Sequence, residues 1–344
     1  MFDIVTKIII VTLLNIKFIG CFRINHEMVD STIKKWAPLI IFHPEEKFFP
    51  LSVEEYLEHV YPANSDGTPI KNDFKNDLNN NLPIGRSSHG VHLTTRMNLD
   101  DLKSSLSFLN GRNPDKFSVP SYVIVNECGM KKRSRGNFTF IASYWFFFPY
   151  NEGKKVCFLG SRIPVPFIPV LNKCLGVTKK IGNHVGDFEH ITISFNSNYE
   201  PTELFASTHD IGAYYSYDLR GRVFRYKDQR RRKTLLKHIN FPAEVRLDRN
   251  RPVLYAARGS HGLWGDRGRQ RYYKLPNLYD YTGYGVVWRT WEDIQIYHLK
   301  YSKQPDWMQF IGKWGNPRDG CLWGLCELSD APNGIVDRPV DFEC

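Results

Sequence analysis

Gly182-Asn-His-Val-Gly-Asp-Phe-Glu-His190 runs straight into Ile191-Thr-Ile-Ser-Phe195, where apolar and polar residues alternate as in a half-buried strand. Every second side chain of a strand shares a face, so Asp187 and Glu189 point the same way as Ile191, Ile193 and Phe195. Two carboxylates therefore end a face that is otherwise built for burial, and buried anions require a cation or a dense set of donors. His184 is out of phase for a regular strand, but Gly182 and Gly186 allow the chain to bend and bring it back. One imidazole and two carboxylates suit a divalent ion, and the oxygen majority favours Mg2+ or Ca2+, with Mn2+ a further candidate. The competing reading is a metal-free site in which an arginine or backbone amides satisfy the acids.

Outward from this strand the chain reads as mainly β. Tyr122–Val125 and Phe138–Phe148 are strands, the second apolar on both faces toward its end and hence central. A single such stretch cannot close a membrane barrel. Further strands are expected at 187–195, 203–208, 213–217, 251–257 and 285–288, with an early one within Trp36–His43. Turn-rich loops between short strands predict an antiparallel β-sandwich with a few short peripheral helices and long loops. Helices are expected at Ser52–His59, behind a serine cap with Glu55 three residues on, at Leu99–Leu106, and in the lead-in at 22–35. Residues 62–90, rich in Asn, Asp and Gly, read as an irregular excursion with little core. The expected organisation is a signal peptide over 1–21 and one β-sandwich domain over 22–344, irregular between about 50 and 115.

The signal reading rests on Lys7, the apolar run Ile8–Leu14 and small residues near Ile19-Gly-Cys21, with Lys17 interrupting the pattern. It makes secretion the default destination and the vacuolar or secretory-pathway lumen the alternative. If Cys21 leaves with the signal, six cysteines remain as disulfide candidates: Cys128, Cys157, Cys174, Cys321, Cys326 and Cys344. Cys157 and Cys174 bracket an apolar loop whose Pro164, Pro166 and Pro169 forbid a helix. That loop either packs over the sandwich or touches a membrane. Asn137-Phe-Thr139 is a glycosylation sequon.

Formal net charge is +10, concentrated in Lys131–Arg135, Arg230–Lys233 and Arg267–Arg271. A secreted chain seldom meets nucleic acid, so the partner expected for these runs is an anionic membrane lipid or glycan surface. The bland alternative is that they are solvated loops.

Five blocks of the chain, in order, resemble the vacuolar protein sorting-associated protein 62 family. They are Trp36-Ala-Pro-Leu-Ile-Ile-Phe-His-Pro-Glu-Glu-Lys47, Tyr144-Trp-Phe-Phe-Phe-Pro-Tyr-Asn151, Gly182–His190, Arg251-Pro-Val-Leu-Tyr-Ala-Ala-Arg-Gly-Ser-His261 and Gly312-Lys-Trp-Gly-Asn-Pro317, with Cys321 behind. More distantly, the same blocks look like the necrosis-inducing cytolysins of plant pathogens, whose Gly-His-Arg-His-Asp-Trp-Glu heptad holds a divalent cation. That resemblance implies His184, Asp187 and Glu189 as ligands and a sandwich of the lectin and actinoporin type. Asn151 falls where those toxins carry a further ligand Asp; it offers a carbonyl oxygen but no charge. The insertion 152–181 also separates the two motifs much further than in the toxins. His209 and the Ser260-His261 pair end strands; they either line the same pocket or are satisfied histidines at strand termini.

Three functions follow as expectations. The first is a secreted, non-enzymatic protein binding a lipid head group or glycan through a divalent-cation pocket, with a cytolysin as its extreme form. The second is a metal-dependent hydrolase, although no nucleophile or nucleotide motif accompanies the site. The third is a structural or sorting protein of the secretory or vacuolar lumen, in which any metal only holds the fold together.

Overall fold

The computed structural model describes residues 25–70, 78–128, 138–159, 163–165, 174, 176–230, 239–273, 278–322, 325–337 and 342. The signal segment, the sequon at Asn137, Cys21, Cys344 and the runs 131–135 and 231–233 lie outside them.

Among the described residues the core is two facing sheets. The larger has eight strands in the order Glu244–Val245, Val223–Arg230, Ile211–Asp218, Pro201–Thr208, His184–Phe195, Phe140–Asn151, Ser121–Glu127 and Ile294–His298. The smaller has five, Leu247–Asp248, Arg251–Ala256, Leu39–Phe42, Val287–Arg289, and Leu263–Trp264 off the second of these. Apolar side chains of both sheets interleave: Phe42 lies 6.3 Å from Phe148, and Trp288 lies 5.3 Å from Phe146. The helix His26–Trp36, capped by the Asn25 side chain, adds Val29, Ile33 and Trp36 to this core from one stripe. The mainly β sandwich with short helices is thus the architecture observed. Most pairings are antiparallel; Leu39–Phe42 beside Arg251–Ala256 and Ile294–His298 beside Ser121–Glu127 are parallel. Both parallel pairs join segments more than 150 residues apart, and no local periodicity signals such a partner.

The strand Phe140–Asn151 is interior and nearly all buried. Its even residues through Phe148 face the smaller sheet, while Trp145 and Phe147 face a second core. Of residues 62–90, read as having little core, Leu78 and Leu82 belong to that second core. Leu51, Tyr56, Val60, Leu82, Leu93 and Leu109 join Trp307, Phe310 and Trp314 to cover the back of the large sheet, with Tyr56 4.7 Å from Phe147. The elements there are short: Val53–Glu58, capped by Ser52 as expected, the hairpin of Val60–Ala63 with His92–Thr95, and Leu99–Ser104. Polar turns between them dilute the composition, although each contributes one or two buried side chains.

Cys157 pairs with Cys174 and Cys321 with Cys326, and Cys128 is disulfide-bonded as well. Of the stretch read as an apolar loop, residues 160–162 and 166–173 lie outside those described; Lys154–Leu159 pairs with Ile163–Val165 on one side and with Val177–Ile181, beyond the loop, on the other. Closing the 17-residue separation between Cys157 and Cys174 is worth roughly 3 kcal/mol through the unfolded chain. The double change Cys157→Ser, Cys174→Ser is expected to lower the urea midpoint accordingly, measured by fluorescence of the buried tryptophans.

Candidate functional site

Asp187 and Glu189 lie opposite Phe148 and Phe146 in the central strand pair, on the face they share with Ile191, Ile193 and Phe195. By alternation Tyr150 and Val185 belong on that face too, yet both sit in the second core. The switch occurs at Gly186, whose φ of 66° places it in the left-handed region. Its Cα approaches the Trp314 carbonyl so closely that an added Cβ would lie 1.8 Å from that oxygen. One residue further, Asn151 and His184 return to the first face, and Gly182 at φ 74° turns the chain away. Asn151, His184, Asp187 and Glu189 consequently border one cavity of about 670 Å³, together with Lys154, His209, Ser260, Tyr272 and Lys313. A larger cavity of about 870 Å³, lined by Tyr150, Arg96, Lys180 and Glu327 among others, contains none of these carboxylates.

The polar atoms are oriented by the backbone. His184 Nδ1 is 2.7 Å from the Gly186 carbonyl oxygen and so carries the proton; Nε2 faces the cavity 3.8 Å from Asp187 Oδ2. Asn151 Oδ1 accepts from the Gly153 N–H, which turns the amide NH2 toward Asp187 Oδ2 at 3.2 Å. Asp187 Oδ1 accepts from the Phe188 N–H, and the Ser207 hydroxyl lies 3.5 Å from Glu189 Oε2. Each carboxylate has a further interaction besides these.

Two features of the geometry bear on the expected cation. His184 presents a lone pair as a metal ligand would, with its other nitrogen fixed by a carbonyl. Asn151 does not present oxygen, because its carbonyl is engaged by Gly153 and its NH2 faces Asp187. The donor atoms of His184, Asp187 and Glu189 are not gathered within 4.8 Å of one another. Among the described residues only His26, Glu127 and His298 are so gathered. The four residues therefore do not form a four-donor ion site in this arrangement.

The second wall of the cavity was not visible in the sequence. Asp280, fully buried, accepts from Ser260 Oγ at 2.7 Å and Lys154 Nζ at 2.9 Å through Oδ1. Its Oδ2 accepts from His209 Nε2 and Trp264 Nε1, both at 3.0 Å. Burial alone would raise the Asp280 pKa; the charges and hydrogen bonds of Lys154 and His209 outweigh it and hold the carboxyl well below the usual range. Tyr272 stacks on His209 at 4.0 Å. The one available signal was an acid between aromatic residues in Tyr279-Asp-Tyr281, on a strand of alternating burial.

His209 and Ser260 thus border the cavity, whereas His261 does not. It is fully buried, stacked on Phe148 at 4.0 Å and 3°, and its Nε2 donates to the Phe48 carbonyl at 2.8 Å. Nearby, Glu46 accepts backbone N–H groups from Lys47, Phe48 and Gly259. Burial alone would raise the Glu46 pKa, but the adjacent His261 and these bonds hold it below its ordinary value. His261 is a packing and clamping residue.

All five sequence blocks meet at this end of the sandwich: Glu46 bonds Gly259, Phe148 stacks on His261, and Trp314 closes over Gly186. The sequence model of vacuolar protein sorting-associated protein 62 matches residues 4–220, well over half of the chain. The chain belongs to the vacuolar protein sorting-associated protein 62 family. The yeast Saccharomyces cerevisiae has a relative of that name, 24% identical over 82% of this chain and 59% of its own length. A second yeast relative, TDA6, whose name assigns it provisionally to vacuolar protein sorting, is 26% identical over 91% of this chain and 67% of its own. The chain thus spans about three-fifths to two-thirds of these family members. No solved structure matches it, so the likeness to cytolysins rests on the motif alone.

Proposed function

We propose that this family member is a non-enzymatic binding protein of the secretory or vacuolar lumen, and that its cavity takes the anionic, hydroxyl-bearing head group of a membrane lipid. The observation that carries this reading is the pairing of functions across one cavity. Buried Asp187 and Glu189 can accept from hydroxyls, while Arg230 and the ammonium groups of Lys154 and Lys313, ion-paired to Asp280 and Asp330, border the same space and can donate to an anionic group. Tyr272 offers a ring face against the ligand. The hairpin that carries Tyr272 presents Arg269 and Arg271 on its opposite, exposed side, so the wall of the cavity is also a basic surface. Leu159 and Val177, both about half exposed, lie on the adjoining three-stranded sheet and could rest against a bilayer. The names of the yeast relatives support a sorting context.

A second reading adds a divalent cation, Mg2+ or Ca2+, between His184, Asp187 and the ligand. The fixed His184 tautomer favours it. Flotation with vesicles containing an anionic phosphoinositide separates the two. Direct recognition predicts binding that weakens with salt, survives EDTA and falls at least about tenfold in Asp187→Ala; the cation reading predicts loss with EDTA. Absence of binding to anionic vesicles at low salt sinks both, and binding to immobilised glycans alone would move the partner to a carbohydrate. The charge reversals Arg269→Glu and Arg271→Glu are expected to weaken vesicle binding and flatten its salt dependence, without changing stability.

A further inference from the structure

A second cluster lies at the other end of the large sheet. Glu127 pairs with Phe140 and Phe140 with Phe195, the strand end farthest from His184. There Glu127 Oε1 is 3.0 Å from His26 Nε2 and 3.4 Å from His298 Nδ1, and all three atoms lie within 4.8 Å of one another. His26 opens the first described helix, Glu127 ends a sheet strand, and His298 ends the edge strand parallel to it.

The proton positions make this arrangement informative. His298 Nε2 is 2.9 Å from Asp30 Oδ1, and a carboxylate only accepts, so Nε2 carries the proton. Nδ1 faces Glu127 Oε1 3.4 Å away, and both atoms are buried. Nδ1 makes no hydrogen bond, and Oε1 has only its ion-pair contacts with the two imidazoles. The His298 side chain is only 9% exposed, so water has little access to this junction. A cation there would take up all three donor atoms. A tetrahedral ion with bonds of ~2.0 Å sets its ligand atoms roughly 3.3 Å apart, close to the 3.0 and 3.4 Å that separate Glu127 Oε1 from the two imidazole nitrogens.

We infer that His26 Nε2, Glu127 and His298 Nδ1 bind a divalent transition-metal ion of the zinc class. The nitrogen majority selects such an ion over Mg2+ or Ca2+. Asp30 orients His298 from behind, as outer carboxylates do for metal-bound histidines. His26 is exposed, so the fourth position of the ion opens to solvent.

The test is titration of the chelator-stripped full chain with Co2+, read by visible absorption, followed by displacement with Zn2+. One equivalent giving the intense bands of low-coordinate cobalt is expected. His26→Ala and His298→Ala should abolish them, and Asp30→Asn should weaken Zn2+ binding by about 10–100-fold. The double change His184→Ala, Asp187→Ala should leave them intact, which separates this site from the cavity. His26→Ala alters an exposed side chain in a first helical turn, so a lost band with an unchanged melting curve reports the ligand rather than the fold. Absent bands in the wild-type chain, or equal cobalt binding in His26→Ala and His298→Ala, would overturn the inference. Those results would leave the three side chains as an ion-paired cluster that takes no metal.

Discussion

Asp280→Ala is expected to destabilise the protein by about 3–5 kcal/mol, the cost of removing one partner from a buried charge network. Four donors converge on this one side chain, and they differ in what they can do without it. Lys154 keeps some solvent exposure and can turn into the cavity. Trp264 is fully buried, and its Nε1–H would lose the bond it makes to Asp280. Asp280→Asn preserves the shape and removes the charge, so it should cost less at neutral pH. It also isolates the titration. The folded pKa of Asp280 is depressed, so its contribution is complete above the unfolded value near 3.8 and is lost as pH falls below that toward the folded value. Urea midpoints measured from pH 7 down to pH 3 should therefore fall less steeply below about pH 4 in Asp280→Asn than in the wild type. Equal acid slopes in the two proteins would show that Asp280 is not held ionised by the Lys154–His209 pair. Because Lys154, His209 and Ser260 all border the cavity, vesicle binding should drop in the same variants at pH 7, where the fold survives.

How much of this was legible beforehand depended on the range of the interaction. Phe140–Asn151 announces itself as central because it is apolar on both faces, and Ser52 announces a helix because its cap acts within three residues. The bend that brings His184 toward Asp187 and Glu189 was also readable, since glycines at 182 and 186 bracket an out-of-phase histidine, whereas Asn151 was implied only by the resemblance to the cytolysins. The roles within that group were not. Asn151 is turned by the Gly153 N–H, a bond that depends on how the chain leaves the strand. His209 and His261 look alike in sequence, each following a strand and each at positive φ. Their fates differ because His209 meets Asp280, whereas His261 is roofed by Phe48 and Phe148. Lys154 and Asp280 are 126 positions apart, and only the finished topology makes them a pair.

Gly186→Ala is the other change with a large expected effect, and it probes the hinge on which the site depends. The new methyl group would sit 1.8 Å from the Trp314 carbonyl oxygen, a backbone atom that cannot rotate aside. The same oxygen accepts from the Tyr56 hydroxyl, and the Trp314 ring lies 4.9 Å from Phe188, so moving it disturbs the second core. Strain at φ 66° adds to the overlap. Together these should cost roughly 3–5 kcal/mol, measured as loss of the urea midpoint. Gly182→Ala is the control. It shares the positive φ, but its nearest neighbour to a new Cβ is the Ser329 hydroxyl at 3.9 Å, so only strain of roughly 1–3 kcal/mol applies. If the two glycines proved equally replaceable, the close approach of Trp314 would not be what sets the phase switch. His184 would then reach the cavity by some other constraint. If Gly186→Ala alone is severe, the phase switch that turns Tyr150 and Val185 into the second core and His184 and Asn151 toward the cavity is fixed by a single missing side chain.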